Sequence, residues 1–264
     1  MLIVNDIKKT FNRGSINEKT ALNGVTLHLK KGDFVTIIGS NGAGKSTLMN
    51  AISGEFFLDQ GSIIIDNQDV TFASQHERAK MIGRVFQDPM VGTAANLTIE
   101  QNLVLALKRG EKRFLKRAIS HEIRDLFREK LKILGLGLED NLTQKVGLLS
   151  GGQRQALTLI MASLIKPKIL LLDEHTANLD PKTAEKVLEV TRKIIKEGEL
   201  TALMVTHDLK QALTYGNRII MMHEGKIVAD LKGEERRKTT VTTLLNLFER
   251  NSGRELLNDR MLLV

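Results

Sequence analysis

GSNGAGKST, residues 39 to 47, sets Gly39, Gly42 and Gly44 ahead of Lys45, Ser46 and Thr47, with Ser40, Asn41 and Ala43 between them. This fills the pattern GxxxxGK[ST]. Its glycines let backbone N–H groups approach phosphate oxygens, its lysine reaches the β and γ phosphates, and the Ser46 hydroxyl ligates magnesium. The chemistry expected is nucleotide binding. ILLLDE, residues 169 to 174, is an apolar run that ends in two carboxylates. Successive strand side chains point in opposite directions, so the pair can divide its tasks: Asp173 toward hydrated magnesium, Glu174 toward an attacking water. Many strands end in acids; the phosphate loop upstream is what turns this pair toward hydrolysis.

LLSGGQRQ, residues 148 to 155, precedes the apolar run LTLIMASLI. A helix starting near Gly152 and Gln153 presents unpaired N–H groups and a positive dipole end, and Gly151 and Gly152 remove side-chain bulk beside Ser150. That makes a second anion site. The phosphate loop already serves its own nucleotide, so this entrance suits the γ phosphate of a nucleotide held by another copy. The implied geometry is an isologous dimer with two nucleotides sandwiched between loops and LSGGQ segments. Hydrolysis then removes the shared phosphate contacts and lets the halves part. ALMVTHD, residues 202 to 208, holds His207 near its end. Alone, such a histidine is ordinarily a polar terminus. If its strand neighbours the 169 to 173 strand in a parallel sheet, both ends open on one crevice and His207 lies within reach of the γ phosphate. Gln87, in RVFQDP, follows a short apolar stretch and by itself says almost nothing.

The elements that must position these groups alternate. Residues 2 to 38 read as short strands, the last running apolar from Phe34 to Ile38 into the glycine-rich loop. STLMNAISG reads as a helix ended by Gly54, and GSIIIDNQDV as a strand. From about residue 74 to 166 the pattern turns helical. Strand signals return in KILLLDE, LTALMVTHD and the hairpin RIIMMHEGKIVADL, with its Glu224-Gly225 turn. The fold class is α/β: a P-loop NTPase core with a mainly parallel sheet, an N-terminal antiparallel β subdomain and an inserted α-helical subdomain. We expect a single domain over residues 1–264, with the helical subdomain at about 88–166 and a helical tail at about 232–264. In that tail VTTLLNLFER reads as an amphipathic packing helix.

The 264 residues and 42% hydrophobic content are ample for a buried core, and the absence of cysteine rules out disulfides and Cys-based metal sites. No apolar run approaches the roughly 18 to 20 residues that span a bilayer, and Met1 leads into LIV without a secretory pattern. The formal charge of +8 suits nucleic acid, an anionic membrane surface or phosphate ligands alike. The densest basic stretch, residues 108 to 132, interleaves acids with Phe114, Leu115, Ile119, Ile123, Leu126, Phe127 and Leu131 near helical spacing. A solvated helix face is favoured there over a nucleic-acid patch.

Taken in order, these motifs resemble the ATP-binding subunits of ABC transporters, over roughly residues 2 to 231. GSNGAGKST resembles the Walker A loop, Gln87 the Q-loop glutamine, LSGGQ the signature, ILLLDE the Walker B strand, NLD the D-loop and His207 the switch histidine. The resemblance implies ATP and Mg2+ as cofactors, Glu174 as general base, and Asp173, Ser46 and Gln87 around the metal. It implies that His207 senses the γ phosphate, that Ser150 and Gly152 contact the partner's nucleotide, and that Asp180 communicates across the dimer. Phe11 matches the aromatic on which adenine stacks. His175 stands where proline is frequent, a departure that leaves Glu174 in place.

The segment before LSGGQ lacks the TEVGE-like sequence of many exporters, which points to an importer. RVFQDPMVGTAANLTIEQNL and DEHTANLDP are similar to ATPases paired with branched-chain-amino-acid-type permeases, so an amino acid or similar small solute is the expected cargo. The implied partners are a second copy, membrane permease subunits docked around residues 88 to 110 and, indirectly, an extracytoplasmic solute-binding protein. No nucleic acid is expected, and the implied place is the cytoplasmic face of the membrane. The alternative is a soluble scaffold ATPase of iron-sulfur cluster assembly. A translation factor would carry two cassettes, and a repair ATPase would separate its Walker motifs by a long coiled coil; neither feature occurs.

Overall fold

A computed structural model describes residues 1–110 and 119–252. The chain opens with β1 (Leu2–Phe11) and β2 (Lys19–Leu29), antiparallel, with Leu2 opposite Leu29 and Phe11 opposite Lys19. β3 (Phe34–Gly39) is buried at every position, as befits a strand that is parallel to its neighbours and covered on both faces. It feeds the phosphate loop and then α1 (Lys45–Ser53), which stops at Gly54. β4 (Gln60–Ile65) returns to β1, placing Ile65 opposite Leu2, and β5 (Gln68–Asp69) completes an antiparallel sheet in the order β2-β1-β4-β5. α2 (Gln75–Arg78) ends this part of the chain.

Two compact units follow from the packing. The first comprises Met1–Arg78 together with the chain from Thr201; the second is Ala79–Leu200. In the second, β6 (Ile82–Val85) precedes α3 (Ile99–Leu107), α4 (His121–Lys132) and α5 (Gly151–Ser163), then β7 (Ile169–Asp173) and α6 (Pro181–Gly198). β6 corrects the expectation of an unbroken helical pattern from residue 74 to 166. Arg84 interrupts its apolar run and it is only four residues long, so its strand character comes from parallel pairing with β7, Ile82 opposite Ile169 through Val85 opposite Leu172. In α4, Phe127 and Leu131 are fully buried while Arg124 pairs with Glu100 at 2.7 Å and Arg128 with Asp125 at 2.8 Å. That is the solvated helix with one packed face. Phe114 and Leu115 of the same basic stretch lie outside the described residues.

Back in the first unit the chain makes β8 (Ala202–Val205), α7 (Leu209–Tyr215), β9 (Arg218–His223), β10 (Lys226–Lys232), α8 (Gly233–Lys238) and α9 (Val241–Ser252). β3 lies between β8 and β9, parallel to both, and β9 turns into the antiparallel β10. The expected tail helix is α9. Its Leu244 and Phe248 are buried with Ile38, Leu209, Ala212, Ile219, Met221 and Leu231, and burying two such side chains is worth about 3 to 6 kcal/mol. The tail beyond residue 252 lies outside the described residues. Among the described residues, no helix is long and apolar enough to cross a membrane.

Candidate functional site

In the first unit, β3 and β8 run parallel in register, Ile37 opposite Val205, so the groups that follow them emerge at the same edge. After β3 comes the phosphate loop; after β8 come Thr206, whose amide donates to the Ile37 carbonyl at 3.1 Å, and then His207. The loop and His207 thus share one sheet edge, set by the pairing of β8 with β3. Gly44 opens α1 at φ 99°, and a Cβ there would stand 2.5 Å from the Ala21 carbonyl oxygen. Only glycine fits. The Lys45 side chain is 5% exposed, and its ammonium donates to the carbonyls of Gly39 at 2.7 Å and Ser40 at 3.0 Å. Asn41, Gly42 and Ser46 are exposed and Ser40 and Thr47 half-buried, while Gly39, Ala43 and Gly44 are buried against the unit. Phe11 is half-buried at the end of β1, its ring edge-on to Phe56 at 5.3 Å, with the Lys9 ammonium 5.5 Å from its centroid.

In the second unit the parallel pair β6 and β7 does the same for Gln87 and the acids. Val85 is opposite Leu172, so exposed Gln87 and the Asp173–Glu174 pair follow the same ends of neighbouring strands. Asp173 is 9% exposed and Glu174 half-buried, with Glu174 at φ 44°. A non-glycine residue in the left-handed region is uncommon and concentrates at functional positions. His175 beside it is 2% exposed and its Nε2 lies 3.0 Å from the Thr191 hydroxyl.

α5 begins at Gly151 behind a reciprocal cap: Ser150 Oγ accepts from the Gln153 amide at 3.3 Å, and Gln153 Oε1 accepts from the Ser150 amide at 3.1 Å. Ser150 and Gln153 therefore have a structural duty that the S-x-x-Q spacing already announces. First-turn geometry leaves the amides of Gly151 and Gly152 without an acceptor one turn back, at the positive end of the helix dipole. The bareness of Gly152 has a second reason, because a Cβ there would sit 2.1 Å from Thr183 Cγ2 on α6. Asp180 caps α6, accepting from the Thr183 amide at 3.1 Å, and hydrogen bonds from the Thr183 side chain and backbone hold its carboxyl below the usual range.

Several residues with a bearing on the site escaped sequence reasoning. Arg78 is 1% exposed and donates to the carbonyls of Ala51 (2.8 Å), Ile52 (2.9 Å), Thr71 (3.1 Å) and Ala73 (3.0 Å), a cation at the C-terminal end of the helix that starts at Lys45. The Lys19 ammonium reaches the phosphate loop, 3.4 Å from where a Gly42 Cβ would be. Fully buried Gln155 donates to the Phe86 carbonyl at 2.9 Å, tying α5 to the residue before Gln87. Arg84 pairs with Asp173 at 3.3 Å. Only the S-x-x-Q cap carried a local sequence signal.

Replacing Lys45 tests the cradle. With charged hydrogen bonds to phosphate removed, Lys45→Ala is expected to weaken nucleotide binding about ten- to hundredfold, read with a fluorescent ATP analogue. Undiminished affinity would contradict the loop's assignment.

Comparison with known proteins gives the family. The family described as ABC transporter matches residues 22–177. The chain is 45% identical over 249 residues to the tyrosine transport ATP-binding protein of Clostridioides difficile (strain R20291), covering 94% of this chain and 99% of that protein. It is 34% identical over 233 residues to the energy-coupling factor transporter ATP-binding protein EcfA1 of Streptococcus pyogenes serotype M5 (strain Manfredo), covering 86% of this chain and 78% of that one. Among solved structures it is similar to the dimeric ATP-binding cassette MJ0796 in a post-hydrolysis state with ADP and Pi, at TM-score 0.75 and 32% identity over 88% of this chain and 98% of that one. The ADP conformation of the cassette MJ1267 gives TM-score 0.77 at 29% identity, over 96% and 99%. With the phosphate loop, the SGGQ helix entrance and the acid-terminated strand each in place, the chain belongs to the ABC transporter family as one of its ATP-binding, ATP-hydrolysing cassettes.

Proposed function

We propose that two copies of this chain close around two ATP molecules and that the cycle of closure and hydrolysis drives import of an amino acid or similar small solute through a separate membrane permease. The observation that carries the ATP sandwich is the entrance of α5, where the amides of exposed Gly151 and buried Gly152 lie in the first helical turn of a unit that holds Asp173 and Glu174 but no phosphate loop. The two units together make one ATPase domain in this reading. Phe11 stacks the adenine, the loop from Gly39 to Thr47 holds the phosphates, and His207 meets the γ phosphate. Ser150, Gly151, Gly152 and Gln153 present the second copy's helix entrance, and Asp180 reports between copies.

The metal reading rests on donor chemistry. Ser46, Gln87 and Asp173 offer only oxygen ligands, which suits Mg2+, a cation usually held by few protein groups plus substrate phosphates. Bound there, it would neutralise charge developing on the phosphates. Glu174 accepts the proton of the attacking water, and the burial of β7 behind it keeps its position fixed.

Amino-acid import draws on the relative named for tyrosine transport. Around residues 88 to 110, Met90, Val91 and Leu105 are 50%, 65% and 50% exposed, apolar side chains available to a permease's cytoplasmic helix. The place is then the cytoplasmic face of the membrane, and a solute-binding protein delivers cargo on the other side. A cofactor-assembly scaffold finds no counterpart among the relatives above. The test is uptake of labelled amino acids, tyrosine first, in cells with and without the gene, alongside co-purification of the tagged chain from membranes. Lost uptake with a co-purifying permease supports the reading. Unchanged uptake of every amino acid, with the chain recovered only in soluble complexes, sinks it.

A further inference from the structure

β6 is a buried strand with one charged side chain, and that charge points at the acid end of β7. Arg84 stands opposite Leu171 in the parallel ladder, and its Nη2 lies 3.3 Å from Asp173 Oδ2. The two side chains are 10% and 12% exposed. The guanidinium carbon also sits 4.5 Å from the centroid of the Phe86 ring, two residues on and on the same face of the strand. The Phe86 carbonyl is in turn held by Gln155 of α5. The cation is therefore fixed by its strand and by the aromatic ring, not only by the carboxylate.

We infer that Arg84 is a positioning residue for Asp173: it holds the carboxylate aimed, and it is the resident cation that magnesium must displace. This rests on the proposed role of Asp173 toward the metal. The guanidinium is a rigid planar donor that its strand and the Phe86 ring hold against the carboxylate. The same guanidinium repels a divalent ion approaching Asp173 on its own. The negative charge of a triphosphate offsets that repulsion, so Arg84 makes metal capture conditional on nucleotide. Lysine at this position keeps the charge and loses the planar fork.

The experiment is a Mg2+ titration of the binding of a fluorescent, non-hydrolysable ATP analogue to the full chain. Arg84→Gln is expected to lower the half-saturating Mg2+ concentration by about fivefold or more, the floor being the repulsion of two unit charges about 4 Å apart in water. Arg84→Met keeps the stem over Phe86 and serves where the glutamine variant fails to fold. Arg84→Lys should stay near the unsubstituted protein. In an Asp173→Asn background, Arg84→Gln should shift the Mg2+ requirement less than in the unsubstituted chain, because no paired carboxylate is then freed. An unchanged or raised Mg2+ requirement in both the glutamine and methionine variants overturns the inference, even when stability falls. If Asp173→Asn by itself leaves the Mg2+ requirement unaltered, the metal role of Asp173 has failed instead, and the inference goes with it.

Discussion

Glu174→Gln is expected to bind ATP as tightly as the unsubstituted chain while phosphate release slows by about a hundredfold to ten-thousandfold, the range that a positioned general base supplies. Gln is isosteric with Glu, so the left-handed backbone at φ 44° and the packing around His175 and Thr176 are retained and only the proton acceptor goes. Because product release from an ATP sandwich needs hydrolysis, the same substitution should accumulate a nucleotide-bound dimer, visible as a shift in elution volume when ATP is added. Paired with Lys45→Ala, it separates the two halves of the proposal: the lysine variant loses binding, the glutamine variant loses turnover. Near-normal phosphate release by Glu174→Gln would remove Glu174 from the chemistry, whatever happened to the dimer.

What was legible beforehand was local. Gly39 to Thr47 declares itself because its glycines, lysine and hydroxyls are read from nine consecutive residues behind an apolar strand, and the structure runs them from the end of β3 into the first turn of α1. The α9 helix was legible for the same reason, since its apolar face repeats at helical spacing. β6 was not. Four residues with an arginine among them have no strand period to detect, and their state is decided by a partner strand more than eighty residues further along. Arg78 was equally hidden: an arginine beside a glutamate in HERAK reads as surface, yet four carbonyls enclose it. Gly152 was read as bare for a ligand. Its missing side chain also answers to Thr183, a contact between helices thirty-one positions apart that no spacing rule encodes.

His175 supplies the other large effect, on stability. The side chain is 2% exposed, and burial pushes its pKa down from the ordinary value to about 4. The Thr191 hydroxyl donates its one proton to the Val187 carbonyl at 2.8 Å, so the contact at 3.0 Å requires Nε2 of a neutral His175 to donate to Thr191. Between about pH 6.5 and 4 the unfolded chain binds a proton here that the folded chain refuses. Stability is therefore complete above pH 6.5 and declines as pH falls, by about 1.4 kcal/mol per unit and about 3 kcal/mol in all by pH 4. His175→Gln keeps an N–H for Thr191 and cannot titrate. Urea unfolding midpoints at pH 7.5 and 4.5 should draw together in this variant relative to the unsubstituted chain, and an identical loss in both would show that the acid sensitivity lies elsewhere. At neutral pH the buried ring carries no charge beside Glu174. Histidine thus replaces the family's frequent proline without adding a cation next to the base, and its bond to α6 holds the turn that proline's ring would otherwise stiffen.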